Sequence, residues 1–120
     1  MAITVNKTFG AEWYTPIDQL SEKEGDRARF KLKELNREQI DSVMEGSTSD
    51  SNGNLQLTQR GISYALKFGI VEWENINDET GKPLKCNFTN HRYLPWALGP
   101  ELAGEIVSKS ILKDSDAKNS

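Results

Sequence analysis

The sequence predicts an α+β fold: a small single domain in which a β-hairpin or short antiparallel sheet packs against about three amphipathic helices. Three observations carry this. Residues 28–35, ARFKLKEL, alternate apolar and polar, the period of a half-buried strand. Ile62, Ala65, Leu66 and Gly69 recur at the spacing of one helical face. Directly after Gly69 the period switches to two, in IVEWE. The length of 120 residues suits one domain.

Residues 1–26 are weakly patterned and read as an N-terminal arm, with Thr15-Pro16 and Gly25-Asp26 as breakers. Trp13 and Tyr14 are its large aromatics, suited to anchoring the arm to the domain or to a partner. The globular part is expected over 27–113. Its first strand points Phe30 and Leu32 inward. Asn36 with Gln39 is close to a capping box, and Ile40, Val43 and Met44 share a helical face that ends at Gly46.

The stretch GSTSDSNGN opens a loop, expected to be mobile, over about 46–56. Asp50, Asn52 and Asn54 have the spacing of a calcium loop start. Leu55 stands where that loop needs glycine and Gly61 where it needs glutamate, so a plain loop is expected.

Thr58 caps the second helix, and Gly69 suits its end. In the strand that follows, Val71 and Trp73 are expected on one face, with Ile70, Glu72, Glu74 and Ile76 on the other. NDETGK is a turn, and Pro83 to Phe88 is expected to return as an edge strand. NHRYLPWAL reads as a linker with a short helical turn. Pro100 then opens a helix whose stripe is Leu102, Ala103, Ile106, Val107 and Ser110. The pattern fades near 112, and a polar tail is expected over 114–120.

The composition narrows the function. The net charge is −3, the isoelectric point about 5.2 and the mean hydropathy −0.65. No nucleic-acid partner is expected, because phosphate tracking needs a broad basic face. Arg27, Arg29, Lys31 and Lys33 alternate with apolar residues and read as the solvated side of a strand. No apolar run reaches the roughly 18 residues of a membrane helix, and no secretory signal is expected. The lone Cys86 forms no internal disulfide and fits a reducing compartment.

Candidate chemistry is thin. Cys86 and His91 supply two of the four ligands a structural zinc site needs, so no metal or other cofactor is expected. As nucleophile and base they lack an orienting third group, and Cys86 reads as a small buried hydrophobe. Glu72 and Glu74, about 7 Å apart on one strand face, could in principle work as an acid–base pair. They read instead as a solvated face, and Trp73 as core. Tyr93 and Trp96 flank Leu94-Pro95. Their size favours core, whereas the dominance of Trp and Tyr at interface hot spots makes them a partner-binding ridge.

The run LTQRGISYALKFGIVEWENINDETGKPLKCN, then NHRYLPWALGPELAGEIVSKSIL, and finally DAKNS resembles the small tail assembly chaperones of long-tailed bacteriophages. The matching features are a helix ending in glycine, a G-aliphatic-x-x-W-E strand, a D-E-x-G-K-P turn, a Leu-Pro link and an E-L-A helix. Here these are Gly69, Trp73, Glu74, Asp78, Glu79, Gly81, Lys82, Pro83, Asn90, Leu94, Pro95, Glu101, Leu102 and Ala103. The resemblance covers about 28–120, leaves 1–26 unmatched, and departs in the loop GSTSDSNGN, which the family has shorter.

The resemblance implies a non-enzymatic role in the cytoplasm of the infected bacterial host. Such a chaperone binds the tape-measure protein, keeps it soluble, helps recruit tail-tube protein and leaves before the virion is complete. A homo-oligomer and a longer frameshifted product are compatible with it. The contact residues assigned here are Trp13, Tyr14, Tyr93 and Trp96, with the exposed side of the last helix. The alternative is a small phage-encoded inhibitor or adaptor that binds a host protein. A third reading is a hydrolase using Glu72 and Glu74 or Cys86 and His91.

Overall fold

The computed structural model describes residues 11–53 and 55–119. It is an α+β domain. The elements are β1 (Ala11–Tyr14), β2 (Arg29–Lys33), α1 (Arg37–Met44), β3 (Thr48–Ser49), β4 (Leu55–Gln56), α2 (Gln59–Gly69), β5 (Ile70–Glu74) and α3 (Leu98–Asn119). Short 3-10 turns cover Ile17–Gln19, Glu24–Asp26 and Phe88–Tyr93. One antiparallel sheet has the order β1-β2-β5, and β3 pairs with β4 in a separate two-stranded ladder inside the 46–56 loop.

The alternation of β2 decides the layering. Phe30 and Leu32 are fully buried on the inner face. They meet Val43 of α1, Ala65 and Leu66 of α2, and Leu102, Ala103, Ile106 and Val107 of α3 in one core. The capping box forms as expected: the Asn36 side chain accepts from the Gln39 N–H, and the Gln39 side chain accepts from the Asn36 N–H. Thr58 caps α2 by accepting from the Gly61 N–H at 3.0 Å.

Two glycines set the helix spacing. A Cβ on Gly61 would stand 2.3 Å from the Val43 carbonyl oxygen of α1, and one on Gly69 would stand 2.5 Å from Ile106 Cδ1 of α3. Ser110 closes the far end. Its hydroxyl accepts from the Leu35 N–H and donates to the Ile106 carbonyl, so a buried polar group is fully engaged.

Several elements differ from the sequence expectation. Of the arm expected over 1–26, residues 1–10 lie outside the described residues, and Ala11–Tyr14 is a strand of the main sheet. Four residues at a sheet edge are too few to show a period, so β1 is defined by its pairing with β2.

β5 also departs from the expected faces. A bulge skips Val71 between the pairs Lys31↔Glu72 and Leu32↔Ile70. A bulge reverses the parity of every residue beyond it. Ile70 therefore joins Trp73 in the core, and Val71 is 48% exposed.

The expected hairpin of β5 with 83–88 is reduced to a single bridge, Asn77↔Pro83. Asn75 explains why. It adopts φ 58, and its amide donates to the carbonyls of Gly25 and Arg27. This left-handed residue ends β5 and turns the chain off the sheet. The sheet partner of β5 is β2 instead.

The last helix begins at Leu98, two residues ahead of Pro100, which lies in the first turn where no amide donor is needed. Its backbone stays helical to Asn119, through the residues expected as a polar tail, because no glycine or proline follows Gly104.

Candidate interaction surface

Tyr93 and Trp96 lie at the surface, 67% and 77% exposed, so the core reading of these rings does not hold. Local chain geometry accounts for it. Leu94 and Leu98, one helical turn apart in number, take the inward positions and pack on the core. Trp96 falls between them on the connecting turn and faces out. Asn87 fixes the preceding 3-10 turn by accepting from the Asn90 N–H at 2.8 Å.

This turn, α2 and the start of α3 enclose a groove of about 300 Å³. Ile62 and Leu66 form its α2 wall, Phe88 and His91 the opposite one, and Pro95, Trp96 and Pro100 its mouth. Phe88 is itself 54% exposed, so two large aromatic rings border one groove open to solvent.

Behind the groove the turn is held by ring packing. His91 lies 5.8 Å from the Trp73 ring and 5.8 Å from the Phe88 ring. Both imidazole nitrogens are buried without a hydrogen-bond partner. Desolvation pushes the His91 pKa below its ordinary value, so the ring is neutral near pH 7. Trp73 donates its indole N–H to the Leu84 carbonyl at 2.7 Å, which satisfies the buried indole and pins the 75–88 loop.

The four residues assigned from sequence do not form one surface. Trp96 lines the groove, and Tyr93 is exposed on the same short segment. Trp13 and Tyr14 point to opposite faces of β1. Trp13, 38% exposed, lies on the outer sheet face beneath Arg29 at 5.0 Å and Lys31 at 5.9 Å, a cation–π arrangement. Tyr14 faces the helices, and its hydroxyl donates to Glu101 Oε2 at 2.7 Å. Phe88, His91 and the α2 wall were not singled out as contact residues from sequence. The available signal was Asn87 with Asn90, a turn cap that fixes which rings face outward.

The carboxylates and the thiol are differently disposed. Glu74 is ion-paired with Arg29, and Glu72 lies opposite Lys31 across the strands. Burial, with a smaller contribution from Glu72, pushes the Cys86 thiol up in pKa, away from the reactive thiolate. Among the described residues, no three His, Cys, Asp or Glu side chains are grouped to hold a metal ion, and no helix is long and apolar enough to cross a membrane. No protein-family model, curated protein or solved structure matches this chain.

Proposed function

We propose that this protein is a bacteriophage tail assembly chaperone that works by reversible binding, without chemistry. It binds and solubilises the tape-measure protein and helps recruit tail-tube subunits in the host cytoplasm. The observation that carries this reading is the open groove bordered by Phe88 and Trp96, with Tyr93 exposed beside it. A long helical partner exposes apolar stripes, and an apolar groove lined by a helix and two prolines can cover one turn of such a stripe. The family resemblance of the segments around Gly69–Pro83 and Leu94–Ala103 points to the same partner.

The test is co-expression with the tape-measure protein encoded in the same genome, scored by soluble yield and by the stoichiometry of the purified complex. A soluble complex that fails to form without this protein supports the reading. A tape-measure protein that still aggregates, with no complex, removes it and brings the host-directed adaptor forward.

A further inference from the structure

We infer that the groove receives an acidic amphipathic helix, whose apolar side chains enter between Leu66, Phe88 and Trp96 while its carboxylates meet Lys67 and Arg92. This rests on the binding reading above and deepens it by naming the chemistry of the bound segment.

Size and backbone chemistry indicate a helix. A volume of about 300 Å³ lies at the small end of ligand sites and holds one or two anchoring side chains. The groove is bounded by an α-helix, a 3-10 turn and the helix start at Pro100. Two of its lining residues, Pro95 and Pro100, have no backbone N–H to offer. Among the described residues no strand borders it, so an extended segment would find no edge to pair with there. A helix satisfies its own backbone and needs side-chain contacts alone.

Charge indicates acid. The chain carries 18 acidic residues against 15 Lys and Arg, yet among the described residues no acidic side chain lines the groove. Arg92 lines it, and the Lys67 ammonium lies 5.0 Å from the centroid of the Phe88 ring at its edge. Both cations are exposed, and neither has an ion-pair partner among the described residues.

The test uses the full chain and two fluorescein-labelled synthetic helices with the same Leu and Phe stripe. One carries glutamate on its flanks and the other lysine. Anisotropy titrations are run with wild type, Lys67→Glu, and the double variant Lys67→Glu/Arg92→Glu. With a net charge of −3, non-specific attraction favours the lysine peptide, so preference for glutamate reports a local site. Wild type is expected to bind the glutamate peptide about tenfold tighter, with the order reversed in the double variant.

Equal affinity for both peptides, binding of neither, or an unchanged order in the double variant overturns the inference. Lys67→Glu alone keeps the test readable if the double variant misfolds. A tape-measure complex that forms with wild type and is indifferent to charge reversal removes the groove assignment and leaves the chaperone reading standing. Peptide selectivity without any tape-measure complex does the opposite.

Discussion

The Tyr14 hydroxyl on the first strand donates to the Glu101 carboxylate in the first turn of the last helix, and the Ile17 N–H donates to the same oxygen at 3.1 Å. With the Glu12–Lys109 ion pair at 2.7 Å, these bonds tie the N-terminal strand to α3 across nearly the whole chain. Tyr14→Phe is expected to cost about 1 kcal/mol in urea denaturation, the net value of a partly exposed hydrogen bond.

The same pair gives an alkaline signature. Burial first, and the bond to Glu101 second, push the Tyr14 pKa from 10.0 to about 12. Between these values the unfolded chain has released a proton that the native one keeps, so stability falls as pH rises through this window. The contribution is fully present below pH 10. A stability profile from pH 9 to 12 should lose part of its slope in Tyr14→Phe; an identical slope would exclude Tyr14 as its source.

His91 gives the acid counterpart. Its pKa is lowered from 6.5 by desolvation, so the unfolded chain binds a proton that the native chain refuses. The stability His91 contributes is present above pH 6.5 and is lost as pH falls through the folded-state pKa. It is the chain's one histidine, so a single imidazole resonance reports it directly. Titration at or above 6.5 in the free protein would contradict the buried, unpartnered ring.

Trp73→Phe keeps much of the core contact but removes the donor to the Leu84 carbonyl. A cost of about 2 kcal/mol is expected from the lost bond and the smaller ring. Faster amide exchange should follow at Leu84, whose N–H donates to the Ile76 carbonyl at 2.8 Å. Unchanged exchange there would mean that the indole does not hold the loop.

Gly61 and Gly104 form a contrasting pair. An added Cβ at Gly61 meets backbone of α1, which cannot yield without moving the helix. Gly61→Ala is therefore expected to destabilise by about 2 kcal/mol or more despite its gain in helix propensity. Gly104 has nothing within 4 Å of an added Cβ, and Gly104→Ala should stabilise by about 0.7 kcal/mol. Thermal or urea melts of the two variants moving in the same direction would contradict the packing described here.

Trp96→Ala separates fold from contact. The ring is largely exposed, so stability should change by no more than about 0.5 kcal/mol while partner capture drops at least tenfold. Failure of the variant to fold would return Trp96 to the core.

The sequence by itself determined what neighbours in the chain can decide. The alternation of RFKLK, the Asn36–Gln39 capping box, the Thr58 cap and the apolar stripes of α2 and α3 are set by residues within about a helical turn of each other. Tertiary structure alone decided which strands pair and which rings stay outside. β1 is a strand because β2 offers it an edge, and β5 takes the other edge of β2, leaving residues 83–88 without a ladder. Val71 is skipped because Ile70 and Trp73 both have core space to fill. Trp96 is outside because Leu94 and Leu98 occupy the inward positions first. These outcomes depend on partners far away in sequence, and a local period or size cannot encode which of two apolar residues the assembled core will accept.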